Sequence, residues 1–321
     1  FQYYENAFSQ LLQKVNNNEL SFTSLFTYNE FLLGATNDGK IYRININAPQ
    51  QYNLFEVKEL EGQKINSLFV DNNLILWMGT ENKGLFLLDL VSGKIIKHIF
   101  FQDELQNNIS SIDGFGTYKC VGTKNGLLIF NTEEKGYEYQ KITTAEGLPH
   151  NYINQVLCDV QENVWIVTPT NFITKYNFIS QKITLNKINI NDILKINAIC
   201  VDNKKQTWIA TYGNGVFKID TAIYNYTTSN GLFSDYTYSI ASDESGSIWV
   251  GHRQGISSIK GNTIRTFSKN IGLYADCNPN SICVDKNGSV WFGTTKGILR
   301  YDIKKSIINK HPNPLAFYIY T

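Results

Sequence analysis

Five carboxylates recur along this chain in one setting. Asp71, Asp159, Asp202, Asp243 and Asp285 each stand six residues before a tryptophan, and those partners (Trp77, Trp165, Trp208, Trp249 and Trp291) are all the tryptophans there are. Repeated carboxylates are the raw material of metal coordination and of acid–base catalysis. Both need the groups to converge. Here each Asp opens a short turn such as Asp285-Lys286-Asn287-Gly288, where its oxygens can accept from backbone N–H groups two residues on and the glycine supplies a positive φ. The five are read as turn makers, one per structural unit, and not as a site.

The other reactive side chains are equally dispersed. His98, His150, His252 and His311 form no H-x-H, H-E-x-x-H or His–Cys pair, so no metal site is expected. No G-x-S-x-G, phosphate loop or dinucleotide fingerprint follows a strand and opens a helix. The expectation is a chain with no catalytic residues, no cofactor and no metal. Of the five cysteines, Cys200 and Cys283 occupy the same slot of different units and cannot bridge, and Cys120 and Cys158 read likewise as small buried residues. Cys277, read as a loop residue, is the expected exposed thiol. A disulfide-free chain suits the cytoplasm better than an oxidising compartment.

The elements that carry these residues are short strands. Asn280–Val284, Ser289–Thr294 and Ile298–Asp302 are β-branched and aromatic runs separated by turns. The same phrase recurs with Leu33, Trp77, Cys120, Trp165, Trp208, Trp249 and Trp291 in one slot, at spacings of 44, 43, 45, 43, 41 and 42 residues. A repeat of that length with four strands per unit marks a β-propeller. The expected fold is therefore all-β, a seven-bladed β-propeller of four-stranded antiparallel blades at about 20–59, 62–103, 105–143, 148–185, 192–228, 232–267 and 274–311. Either Ala7–Val15 or Ser306–His311 must supply the last outer strand, since an open sheet edge invites association. Residues 312–321, with Pro312 and Pro314, read as an exit toward a following β-sandwich.

Bulk properties exclude some partners. The chain has 321 residues, 29 Lys+Arg against 28 Asp+Glu and a net charge of +1, which gives no basic surface for nucleic acid. No apolar run is long enough to span a bilayer, so any membrane contact is expected through segments outside this chain. The first residues lack the plan of a secretory signal.

The repeat I-x-x-D-x-x-G-x-[IV]-W-[IV]-G-T-x-x-G-[IL]-x-x-[YF]-D resembles the two-component regulator propeller family. The likeness is clearest in Ser239–Ser258 and Ser281–Asp302, good in Asn66–Asp89 and Asn197–Asp220, and eroded in blades one, three and four, where blade four has Pro169 and blade three lacks the tryptophan. In sialidase Asp boxes the Asp lies two residues before Gly; Asp243 and Asp285 lie three before Gly246 and Gly288. The resemblance implies the periplasmic sensor part of a histidine kinase, working as a homodimer. It carries no binding residue over, because the matched positions are structural.

A ligand site must then be argued from the ring. The crossings between blades and the turns between second and third strands surround one mouth of the central channel, while the Asp turns lie on the other face. Sugar recognition needs aromatic faces and planar hydrogen-bonding groups. Tyr152, Tyr212, Asp235, Tyr236, His252, Arg253 and Tyr274 offer both on blades four to seven and are the expected ligand residues, for an oligosaccharide or other small ligand. Asn66, Asn154, Asn197 and Asn280, each eleven before a tryptophan, are expected to tie down the innermost strands. Two other readings are a propeller enzyme of the lyase or glycan hydrolase type and a protein-binding scaffold.

Overall fold

The structure, a computed structural model, describes residues 7–15, 18–133, 136–188, 195–220 and 222–305. Seven four-stranded antiparallel sheets form a ring, so the chain is a seven-bladed β-propeller, and a small hairpin of Lys14–Val15 with Asn18–Glu19 stands beside it. We label the strands of each blade a to d from the axis outward. Strand a of every blade lies against strand a of the next. Burial follows this order: in blade five strand b, Thr207–Thr211, is wholly buried and strand d, Ile223–Tyr226, is mostly exposed.

Six blades are built from consecutive strands, and the seventh is not. Its strands a to c are Cys277–Val284, Val290–Thr294 and Gly297–Tyr301, and its outer strand comes from the start of the chain. Phe8–Leu11 pairs antiparallel with Gly297–Tyr301, placing Phe8 opposite Tyr301 and Leu11 opposite Ile298. Of the two candidate segments, the N-terminal one thus closes the ring. Residues 306–321, with the other candidate and the expected exit segment, lie outside the described residues.

Each feature of the repeat has a packing reason. The tryptophans fill the seams between blades, with Trp77 and Trp291 completely buried. Strand b carries glycine where the next blade's innermost strand comes closest: a Cβ on Gly79 would stand 2.3 Å from a methyl of Ile109, and one on Gly293 would be 2.7 Å from the Phe22 carbonyl. The threonine after it closes the b–c turn, as when Thr80 Oγ1 donates to the Gly84 carbonyl at 2.9 Å. Adjacent blades are also joined near the axis. Ser24, Ser67 and Ser111 accept through Oγ from the N–H groups of Leu68, Ile112 and Val156 at 3.1, 2.8 and 3.2 Å.

The cysteines are all free thiols. Cys277 is a correction to the sequence reading. It begins strand a of blade seven and not a loop, is buried at 2% exposure, and burial pushes its thiol up to about 12.

Candidate functional site

Innermost strands begin with a common arrangement. Thr23, Asn66, Ser110, Asn154, Asn197, Tyr238 and Asn278, one from each blade, line a cavity of about 420 Å³ at the end of the channel. Most of them tie their blade to the next. The Nδ2 groups of Asn66, Asn154, Asn197 and Asn278 donate to the carbonyls of Ile109, Ile196, Thr237 and Phe22 at 2.9, 2.6, 2.8 and 2.7 Å. Thr23 Oγ1 donates likewise to Ile65. With its N–H₂ used in this way, each amide keeps its Oδ1 as an acceptor beside the cavity.

Asn280 departs from the expected role. Relative to blade two, blade seven has two extra residues between Cys277, opposite Thr294, and Ile282, opposite Phe292; in blade two Ile65 faces Thr80 and Leu68 faces Met78. The inserted pair is Pro279-Asn280, and Asn278 takes the linking position. Asn280, at φ 54°, reaches across the axis, and its Nδ2 donates to the Ser110 carbonyl of blade three at 2.8 Å. It thereby divides the channel. Beyond it lies a second cavity of about 200 Å³, walled by Ser67, Ser111, Ile240, Ile282 and their neighbours.

The mouth's rim comes from crossings and b–c turns, as the ring geometry requires. Lys64 and Glu81 pair at 3.9 Å, and Asn108, Lys124, Tyr152 and Tyr212 complete the wall. Only two of the seven expected ligand residues, Tyr152 and Tyr212, line this cavity. Tyr236 stands against Tyr212 edge to face, with centroids 4.9 Å apart. Asp235 is held within its own crossing, accepting from the N–H and hydroxyl of Thr228 at 2.7 and 3.2 Å. Arg253 is exposed and pairs with Asp276 at 3.5 Å. Tyr274 lies elsewhere, on a small hollow with Gln10, Gln13 and Lys296.

His252 is beneath the surface, at 0% exposure. It occupies the threonine position of strand b, but its partners lie in the preceding crossing and in strand c and not in the b–c turn. Its Nδ1 lies 3.1 Å from the Tyr236 carbonyl, which can only accept, so Nδ1 carries the proton and Nε2 accepts from Ser257 Oγ at 2.9 Å. Burial holds the imidazole neutral, at about 4. Both nitrogens are committed to the fold.

The Asp row lies on the opposite face, and its partners are the tryptophans. In the five blades the Asp Oδ2 accepts the indole N–H at 3.0, 2.9, 2.9, 2.8 and 2.8 Å. Among the described residues no three His, Cys, Asp or Glu side chains gather as a metal site. The Asn-slot members Thr23, Ser110, Tyr238 and Asn278 and the inserted Pro279 were missed in the sequence. Three differ from the repeated residue type, and the insertion shifts Asn278 out of register with the tryptophan count.

A family model described as Two component regulator propeller matches residues 274–296. No curated protein matches the chain. Among solved structures, the ring is similar to the extracellular domain of a putative hybrid two component system from B. thetaiotaomicron, at 17% identity and a TM-score of 0.78 over 98% of this chain and 45% of that one. A putative one component system of the same organism gives 18% identity and 0.74 over 92% and 39%. The chain thus spans less than half the length of these two. A catalytically inactive virginiamycin B lyase from Staphylococcus aureus, solved with quinupristin, gives 14% identity and 0.75 over 91% and 98%. At such identities these likenesses establish the propeller, and the family match makes residues 274–296 in blade seven a two component regulator propeller repeat.

Proposed function

We propose that this ring is the extracytoplasmic sensing module of a two-component membrane receptor, without catalysis of its own, and that its ligand is an oligosaccharide or similar polyhydroxylated molecule seated at the channel mouth. The observation that carries this reading is the cavity of about 420 Å³, lined by Asn66, Asn154, Asn197 and Asn278, whose N–H₂ groups are spent on neighbouring blades, together with Tyr152, Tyr212 and Tyr238. Amide acceptors suit hydroxyl groups, and tyrosine faces suit the C–H face of a sugar ring. The size fits a small ligand, since such sites typically enclose roughly 300–1,000 Å³. No helix among the described residues is long and apolar enough to cross a membrane; in this reading segments outside the chain make the connection to a kinase. Two copies of the receptor pair, and ligand at the mouth favours one packing of their propellers over another. A differential affinity of a few kcal/mol is enough for that.

The test is a thermal-shift screen of the ring against oligosaccharides. A ligand at about 100 times its Kd should stabilise the fold by about 2.7 kcal/mol. Tyr212→Ala and Asn197→Ala should abolish the ligand-dependent shift whatever they do to the unliganded melting temperature. A panel with no hit, or hits whose shifts survive both substitutions, would overturn the proposal.

A further inference from the structure

Blade three lacks both halves of the Asp–Trp pair. Cys120 stands in the tryptophan slot and Gly114 six residues before it. Elsewhere the indole covers its own outer strand and meets strand c of the next blade. Trp208 stacks on Tyr226 at 5.6 Å, Trp249 stacks on Phe267 at 6.3 Å and touches Tyr301 at 4.5 Å, and Trp77 meets Phe130 at 5.6 Å. Blade one also lacks the tryptophan, but there Arg43, opposite Leu33, spreads over the rings of Phe31 and Phe55 at 4.9 and 5.3 Å. In blade three the residue opposite Cys120 is Ile129, which has no such reach.

A cleft of about 310 Å³ lies between blades three and four, outward of the buried Cys120. Tyr118, Ile129 and Gln140 line it from blade three, and Tyr176 and Phe178 from blade four. Tyr176 holds the position that Phe130 holds one blade earlier, facing the place an indole would take. Tyr118 and Phe178 stack face to face across the seam at 4.7 Å with an interplanar angle of 6°, which closes one end of the cleft. The floor of Ile129, Tyr176 and Phe178 is buried, and Glu138 stands at the rim.

We propose that this cleft is a second binding site, separate from the channel mouth, for a small planar aromatic molecule of about the size of indole that carries an N–H or O–H donor. The fold itself supplies the template, because five other blades hold an indole in the corresponding seam with its N–H on a carboxylate. Here the acceptors are Gln140 Oε1, which takes the Tyr176 hydroxyl at 3.5 Å, and the Glu138 carboxylate. Space is ample, since an apolar cavity of about 150 Å³ already binds benzene.

Calorimetric titration of the chain with indole tests this. Saturable one-site binding is expected, weakened at least tenfold by Cys120→Trp, whose side chain takes the ligand's place. Gln140→Trp, on the exposed outer strand, closes the cleft from outside without touching the core and serves if Cys120→Trp does not fold. Tyr212→Ala at the channel mouth should leave indole binding unchanged. Absence of saturable binding, unweakened binding in either folded Trp variant, or loss of binding in Tyr212→Ala overturns the proposal.

Discussion

Asp285 holds the indole N–H of Trp291 on Oδ2 at 2.8 Å while its Oδ1 accepts the backbone N–H groups of Asn287 and Ser289 at 2.8 and 3.0 Å. One carboxylate therefore closes the a–b turn and fixes the side chain that fills the seam. The interval of six residues follows, because the turn returns the chain so that the second residue of strand b, Trp291, faces Cys283 two positions before the Asp. Arg300 covers the other face of the indole at 4.8 Å.

This geometry separates two substitutions. Asp285→Ala leaves two buried donors and one half-buried donor unpaired and should cost about 3 kcal/mol, since each buried group costs about 1–3 kcal/mol and the half-buried one gains water. Asp285→Asn can keep the turn through its Oδ1 but turns an N–H₂ group toward the indole N–H, and should cost about half as much. Urea unfolding measures both. In the background of Trp291→Phe, where the indole bond is already gone, the Asn substitution should cost less than 0.5 kcal/mol. Equal costs in the two backgrounds would show that the pairing carries no energy.

Two groups, fully buried His252 and half-buried Asp113, make opposite contributions to stability against pH. His252 is held at about 4 by burial, against an ordinary 6.5. As pH falls from 6.5 to 4 the unfolded chain gains a proton that the folded one refuses, so the fold loses roughly 3 kcal/mol from this group. Asp113 on the channel wall is the reverse, since burial raises its carboxyl from 3.8 to about 6 although it accepts from Cys158 N–H at 2.7 Å. Its folded form binds the proton more readily, so its contribution is full below pH 3.8 and is lost as pH rises through 6. The stability advantage of wild type over His252→Thr should grow between pH 4 and 6.5, and that over Asp113→Asn should shrink between pH 4 and 6. Parallel urea stability profiles for all three proteins would contradict both assignments.

The blade count, the seams and the faces were legible in the sequence because they rest on residues that repeat. Trp77, Trp165, Trp208, Trp249 and Trp291 mark their slot whatever surrounds them. Their hydrogen bonds to the Asp row were not legible, since alternation along a strand does not show that a side chain six residues away folds back to the turn. The ligand rim was read less well for a similar reason. His252, in the place of the threonine that ends strand b elsewhere, reads as a rim residue of the b–c turn, yet in the structure its ring turns inward to the Tyr236 carbonyl and Ser257 Oγ. Tyr274 and Arg253 belong to the right loops but stand away from the axis, and loop membership alone does not give radial distance. Asn280 had the right count from Trp291, and only strand pairing reveals that Pro279-Asn280 is an insertion.

Ring closure by the N-terminal strand predicts where the fold opens. Phe8 lies 4.9 Å from Phe267, 5.0 Å from Tyr301 and 6.4 Å from Trp249. Phe8→Ala should destabilise the ring by about 2–3 kcal/mol, at or below the roughly 3–5 kcal/mol of a core phenylalanine because the side chain is only partly buried. Removing residues 1–13 leaves Gly297–Tyr301 as an unpaired edge with buried side chains, the arrangement most prone to strand addition from another chain. Sedimentation should show concentration-dependent association in the truncated chain and none in Phe8→Ala. A truncated chain that stayed monomeric and as stable as wild type would mean that Phe8–Leu11 does not close the ring.

The insertion in blade seven makes the last prediction. Deleting Pro279-Asn280 shortens that innermost strand to the length found in blade two and leaves Asn278 and Ser281, which bond to the Phe22 carbonyl at 2.7 and 3.0 Å, to hold blades seven and one together. The deletion should therefore fold. It removes one cross-channel hydrogen bond, worth about 1 kcal/mol, and also the strain of a non-glycine residue at φ 54°, so its stability should lie within about 1 kcal/mol of wild type. What changes is the channel, because the mouth cavity and the lower cavity merge once Asn280 no longer spans the axis. A ligand resting on that floor should then bind at least tenfold more weakly, with the enthalpy falling as its contacts are replaced by water. Titration of any oligosaccharide found in the thermal-shift screen measures the loss. Wild-type affinity in the folded deletion variant would place the ligand above the floor, on the Tyr152 and Tyr212 rim alone.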